Sequence, residues 1–215
     1  VRQNQYLFGS DWMSYGDDDI ADLLSQPIDA PQQGFPAQVI GTGPTARFSA
    51  MPEMFESMFH AARHEMTITT PYFVPSEALR MALESAARRG VKVILIVPAK
   101  VDSRLVRYAS QAFQSDLLRA GVRIAKFKGG LLHTKSMTVD GKMSLFGSLN
   151  LVPRSLRLNF EISLAIYDRG FTRELRALQQ SYLDQSELID LEIWHSRPTR
   201  QRVAENCARL FGPLL

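Results

Sequence analysis

Cysteine is nearly absent from this 215-residue chain. The one residue, Cys207, cannot close an internal disulfide, and no CxxC or Cys/His cluster exists, so a disulfide framework and a structural zinc site are both excluded. A reducing compartment is expected. Long apolar runs are lacking as well: the longest, the VILIV of residues 93–97, falls far short of the roughly 20 residues that span a bilayer. No basic-then-apolar signal pattern follows Val1, and the chain reads as a piece of something longer. With 45% apolar and 22% charged residues, the composition is that of a globular protein and excludes disorder, collagen and coiled coil.

Strong net charge is missing too, at +3, but its distribution is uneven. Residues 1–30 hold one basic residue, Arg2, and six acidic ones, Asp11, Asp17, Asp18, Asp19, Asp22 and Asp29, a balance of −5. The remaining 24 basic and 16 acidic residues leave the body at +8, which suits an anionic partner such as nucleic acid or a lipid surface.

Breakers crowd the stretch from Ser25 to Thr45, with Pro27, Pro31, Pro36, Pro44, Gly34, Gly41 and Gly43, so residues 1–45 read as the tail of a preceding unit plus a linker, and residues 46–215 as one domain. Met54, Phe55, Met58, Phe59 and Ala62 repeat at helical spacing behind Pro52 and Glu53, and MTIT follows as a strand. Ser76 starts a second helix, with Leu79, Leu83 and Ala86, that stops at Gly90; VKVILIVP then reads as a buried parallel strand. Asp102 or Ser103 starts a third helix, ending at Gly121 before the strand VRIAKF. LLHTKSMTVD, the Asp140-Gly141 turn and KMSLFGS read as a β-hairpin, followed by a strand in LNFEISLAIYD and a helix carrying Leu175, Leu178 and Tyr182. The order predicts an α/β fold with a mixed sheet and no internal repeat.

Chemistry concentrates in His133, Lys135, Asp140, Gly147, Ser148 and Asn150, spaced H-x-K-x4-D-x6-G-S-x-N. Residues two apart on a strand share a face, so an imidazole and an ammonium converge, while Asn159, Glu161 and Ser163 line one face of the following strand. Such a set suits phosphoryl chemistry. Lys135 supplies positive charge, Ser148 and Asn150 donate to non-bridging oxygens, and His133 attacks phosphorus or moves a proton near neutrality. Asp140 lies at the turn with the other parity and takes a structural task.

HTKSMTVD with GSLNL resembles the HKD motif of the phospholipase D superfamily, and more closely the C-terminal half of bacterial cardiolipin synthases. TTPYFVPS, RAGVRI, KGGLLHTK and RSLRLNFEI extend the resemblance over nearly all of residues 46–215. It implies a phospholipase-D-like mixed β-sheet flanked by helices on both faces, and a reaction without metal or cofactor in which one His forms a phosphohistidine and a second protonates the leaving alcohol. In cardiolipin synthases a phosphatidyl group moves from one phosphatidylglycerol to another, with release of glycerol. Carried over, His133 is a catalytic His, more in keeping with the general acid/base than the nucleophile. Lys135 and Asn150 bind phosphate, and Glu161 orients and charges a His. The family site needs two HKD motifs, and His60, His64 and His195 lack the Lys two residues on. The partner is therefore an N-terminal HKD half of the same protein or a second copy of this chain. The alternatives are a homodimeric single-HKD phosphodiesterase, either a phospholipase D or a nuclease, and a catalytically silent membrane-binding module.

Segments around His133 are apolar and Thr-rich rather than interleaved aromatic and basic, which favours anionic phospholipid over nucleic acid. The resemblance also implies a full-length protein held at the cytoplasmic membrane. His60 and His64 read as surface residues, and Tyr72 and Phe73 as either a lipid entrance or core aromatics. Arg154 and Arg157 suit a headgroup phosphate. Val203, Cys207, Leu210, Phe211 and Leu214 form an apolar stripe flanked by Arg197, Arg200, Arg202 and Arg209, a basic amphipathic helix that either rests on an anionic bilayer or docks on the domain.

Overall fold

The computed structural model describes residues 2–16, 19–27, 33–43 and 49–212. Asp17, Asp18, Asp29, Pro31, Pro44, Thr45 and Leu214 lie outside these. In chain order the elements are α1 (Arg2–Tyr15), α2 (Ala21–Ser25), β1 (Ala37–Thr42), α3 (Ala50–Ala61), β2 (Glu65–Thr69), α4 (Glu77–Arg88), β3 (Lys92–Pro98), α5 (Arg104–Arg119) and β4 (Arg123–Phe127). They continue with β5 (Ser136–Val139), β6 (Met143–Gly147), α6 (Pro153–Arg157), β7 (Glu161–Ile166), α7 (Arg169–Asp184), β8 (Ser186–Leu188), α8 (Leu191–His195) and α9 (Thr199–Leu210).

The strands form one mixed sheet in the order β1-β7-β6-β5-β2-β3-β4-β8. β2, β3 and β4 are parallel, and the other pairings are antiparallel. Helices cover both faces. The continuous apolar run of β3 serves two cores at once. Val93, Leu95 and Val97 point into a large core with α3, α4 and α5, while Ile94 and Ile96 point into a smaller one against Tyr182 and Leu183 of α7.

Local chemistry sets the helix ends. Ser76 Oγ accepts from Leu79 N and Ser103 Oγ from Val106 N, both at 3.3 Å, capping α4 and α5. Gly90 and Gly121 close those helices at φ 89° and 97°, a conformation that penalises any Cβ. The β5–β6 hairpin turns through Asp140, Gly141 and Lys142, between the paired Val139 and Met143; Asp140 and Gly141 are at positive φ (51° and 61°), and Lys142 N donates to Val139 O at 3.0 Å.

Four expectations need correction. β1 lies within the stretch read as a linker and pairs with β7 from Ala37↔Ile166 to Thr42↔Glu161, so the sheet begins before the expected boundary at Ala46. Strand β5 starts at Ser136 rather than Leu131, because its partner β2 ends at Thr69, opposite Ser136, and Pro71 beyond it has no N–H to pair with. On α7 the side facing the sheet is mixed: Tyr182 and Leu183 pack on the small core, but the fully buried residues, Thr172 and Gln179, are polar. Leu178 is exposed, while Gln179 is buried, donating to Thr67 O and Ser136 Oγ (both 3.2 Å) and accepting from Thr138 Oγ1 (2.7 Å). The strand residues on that face are Thr and Ser, so a buried amide finds partners that a leucine would leave unpaired. Finally, α9 docks on α5 through its polar side. Glu205 and Ala208 are buried, Arg197 Nη1 lies 2.6 Å from Glu205, and Val203, Cys207, Leu210 and Phe211 of the apolar stripe face outward, with Leu210 79% exposed.

Asp140 ties the hairpin to the start of β2. Its carboxylate accepts from the backbone N–H groups of Arg63, His64 and Glu65 at 2.9, 2.8 and 2.9 Å. Burial alone would raise its pKa, but these three amides outweigh burial and hold it below the ordinary carboxylate value. Because the folded value is depressed, the stabilisation is complete above the unfolded pKa of about 4 and is lost as pH falls through the folded value. Asp140→Asn is expected to cost about 1.5–3 kcal/mol at neutral pH and to flatten the acid limb of stability. Urea unfolding of both proteins between acid and neutral pH checks this, and parallel stability curves would exclude it.

Candidate active site

The parallel strands end together, and open α/β sheets bind ligands at such carboxyl edges. The antiparallel registers Thr69↔Ser136 and Gly147↔Ser163 bring the start of β5, the end of β6 and the start of β7 to that same edge. His133, Lys135, Ser148, Asn150 and Glu161 therefore meet although they span 29 positions of the chain.

His133 is exposed at the rim. Lys135 Nζ folds back on it, 2.8 Å from His133 Nδ1, and donates to the His133 carbonyl at 2.8 Å. Lys135 O accepts from Gly147 N at 3.2 Å, which continues the β5–β6 pairing one step past the strand. Burial pushes the Lys135 ammonium below its ordinary pKa, and the charge of Glu161 opposes that shift.

Glu161 is the hub. Its Oε1 accepts from Ser155 Oγ at 2.5 Å and Asn159 Nδ2 at 3.2 Å, and its Oε2 accepts a short bond from Ser148 Oγ. Ser148 Oγ in turn accepts from Ile162 N at 3.1 Å, so this hydroxyl is engaged with the carboxylate rather than held open for a phosphate oxygen. Asn150 N donates to Ser155 Oγ at 3.2 Å, while Asn150 Oδ1 is buried without a hydrogen-bond partner among the described residues. Beside Glu161 a cleft of about 290 Å³, lined by Ser148, Phe160 and Phe8 of α1, opens to the surface.

Ser155 was not legible as a site residue. RSLR carries no periodic signal, and only Pro153 at the first turn of α6 marks the short helix that turns Ser155 inward. A second feature seen only in three dimensions is the Tyr72–Asp102 pair, with Tyr72 Oη donating to Asp102 Oδ1 at 3.0 Å. The Ser103 N–H, then the Tyr72 hydroxyl, hold the Asp102 carboxyl below its ordinary pKa, and the nearby His133 adds to this. Phe73 is a core residue, 2% exposed. Arg154 and Arg157 are exposed on α6 and form no ion pair among the described residues. Among the described residues no three His, Cys, Asp or Glu side chains converge as a metal site, and no helix is long and apolar enough to cross a membrane.

Comparison with known proteins matches residues 55–182, well over half of the chain, to the family described as cardiolipin synthase, PLD-like domain. The chain belongs to this family. Cardiolipin synthase A of Yersinia pseudotuberculosis is 48% identical over 199 residues, 90% of this chain and 41% of that protein. Cardiolipin synthase A of Escherichia coli is 49% identical over 182 residues, 85% of this chain and 37% of that protein. The cardiolipin synthase domain described here thus spans about two fifths of the curated relatives it matches. Among solved structures, phosphatidylserine synthase of Haemophilus influenzae aligns at TM-score 0.64 and 18% identity, over 83% of this chain and 48% of that one. Nuc from Salmonella typhimurium, a phospholipase D family member, aligns at 0.61 and 18%, over 72% of this chain and 99% of that one. At such identity these two likenesses concern the fold, which for the cardiolipin synthase domain is the α/β mixed sheet with helices on both faces.

Proposed function

We propose that this chain is half of a phosphatidyltransferase site, moving a phosphatidyl group from one phosphatidylglycerol to the hydroxyl of another through a phosphohistidine, with release of glycerol. One observation carries the reading. A lysine ammonium touches an exposed imidazole, next to a carboxylate locked by three donors, at the carboxyl edge of the sheet. Lys135 neutralises the non-bridging oxygens of the phosphate, and Asn150 is assigned to the same phosphate. His133 moves protons: it protonates the departing glycerol oxygen and then takes the proton of the incoming hydroxyl, while a second HKD histidine carries the phosphoryl bond. Glu161 sets the charge and position of this group. Asp140 and Gly147 shape the hairpin that carries it, and Arg154 faces the lipid headgroups.

The exposure of His133 suits a second motif from an N-terminal HKD half or from another copy of this chain. In the whole protein the site works at the cytoplasmic membrane on anionic lipid. The purified 215-residue chain is accordingly expected to form little cardiolipin from phosphatidylglycerol vesicles by itself, and to form it when a chain carrying the other motif is added. Robust synthesis by the chain alone at high dilution, lost in His133→Ala, would show that one motif suffices. Hydrolysis to phosphatidic acid without cardiolipin, rising with the square of protein concentration, would instead establish the homodimeric phosphodiesterase.

A further inference from the structure

A second cavity, of about 520 Å³, lies between the end of α9, the start of α4 and helix α6. Small-molecule sites occupy about 300–1,000 Å³. The walls are largely apolar: Val74, Pro75, Phe113 and Leu156 line it, and Leu158, 64% exposed, stands at its lip. An aliphatic side chain left so open beside a cavity gains from any apolar group that enters.

The charged groups of the cavity are Arg157, Arg209 and Glu77. Arg209 lies 3.4 Å from Glu77 and 3.5 Å from Asp116, with its guanidinium 4.4 Å from the centre of the Phe113 ring. Glu77 is also paired with Arg80. Its negative charge is thus shared between two arginines, and Arg157 forms no ion pair among the described residues. Arg209 is in turn opposed by Glu77 and Asp116, so Arg157 is the one cation at the mouth without an ion-pair partner among the described residues, above an apolar floor.

Helix α6 divides this groove from the catalytic centre. Ser155 turns to Glu161, whereas Leu156 and Arg157 turn to the groove. The two sites are about one helix width apart, roughly 10–12 Å.

We propose that this groove is a phospholipid site distinct from the catalytic pocket, in which one acyl chain lies along Val74, Phe113, Leu156 and Leu158 while Arg157 pairs with the phosphate. The ligand is an anionic phospholipid monomer, and the assignment rests on the lipid reading of the chain given above. Arg suits the role because its planar fork meets two phosphate oxygens at once. Neither half of the ligand is enough. A free phosphate meets only an exposed guanidinium, and an uncharged chain leaves Arg157 without a counterion.

The test is titration of the 215-residue chain with dihexanoyl phosphatidylglycerol below its micellar concentration, followed by leucine methyl resonances. Arg157→Glu and Leu158→Asp, both at exposed positions, are each expected to weaken binding by about tenfold or more, with thermal unfolding unchanged. Glycerol phosphate at equal concentration should not displace the lipid, and binding should persist in Lys135→Ala. Retention of full affinity in both Arg157→Glu and Leu158→Asp overturns the proposal. Loss of binding in Lys135→Ala alone also overturns it, placing the lipid in the catalytic pocket and leaving the transferase reading intact. Displacement by glycerol phosphate marks a phosphate site without a chain groove, and absence of binding refutes the groove while the cardiolipin assay judges the transferase reading separately.

Discussion

Alanine at His133 is expected to lower phosphatidyl transfer by about 10²–10⁴-fold, the usual worth of a general acid or base, without changing the unfolding temperature. The side chain is exposed, and among the described residues its ring hydrogen-bonds with Lys135 and otherwise only lies near the exposed Asp102 carboxylate, so little structural bonding is lost with it. Glu161→Gln probes the same centre differently. Ser148, Ser155 and Asn159 all donate to the carboxylate, and an amide must turn an NH₂ toward one of them. The substitution also removes the charge that raises the Lys135 pKa against the effect of burial. Lys135 then loses its proton at lower pH, so the alkaline limb of kcat/KM moves to lower pH in Glu161→Gln. Both variants are to be measured in the assembly that carries out transfer. Full activity in His133→Ala, or an unmoved alkaline limb in Glu161→Gln, would remove these residues from the roles given to them.

Gly147→Ala is expected to destabilise the fold as a whole. A Cβ at this position would lie 2.2 Å from Ile162 O and 2.7 Å from Ser163 Cα, both backbone atoms of the neighbouring strand. Neither contact is relieved by rotating a side chain. β6 and β7 must separate where Gly147 faces Ser163, one residue from Ser148 and two from Glu161. Overpacking costs about 1–3 kcal/mol when side chains can adjust, and more when strands must part. A clear fall in the urea midpoint is expected, together with loss of activity from displacement of the Ser148–Glu161 bond. An unchanged midpoint would mean that the sheet opens here at no cost.

Elements with strong local signals were legible. Ser76 and Gly90 bracket α4, Ser103 and Gly121 bracket α5, and the Asp140-Gly141 turn sets the hairpin, because caps and positive φ depend on neighbours in the chain. Elements whose stability comes from partners were not. β1 sits among prolines and glycines and is a strand because β7 offers it an edge. On α7 the pattern placed Tyr182 correctly against the sheet but not Leu178, since Thr67, Ser136 and Thr138 on the sheet select Gln179 for the buried position. On α9 the apolar stripe was read correctly as a stripe, but Glu205 and Arg209 meet Arg197 and Asp116 and decide which side docks.

The sequence by itself determined the α/β class, the hairpin and which residues are proposed for the centre, because the spacing of His133, Lys135 and Asn150 is a property of chain order. Only the tertiary structure decided how those groups are used. It committed Ser148 to Glu161, brought Ser155 across from α6, set Asp102 near His133, and placed an apolar groove with Arg157 on the far side of the same helix. Each of these depends on side chains from separate elements meeting at one sheet edge, and such meetings follow from packing and register rather than from distance along the chain.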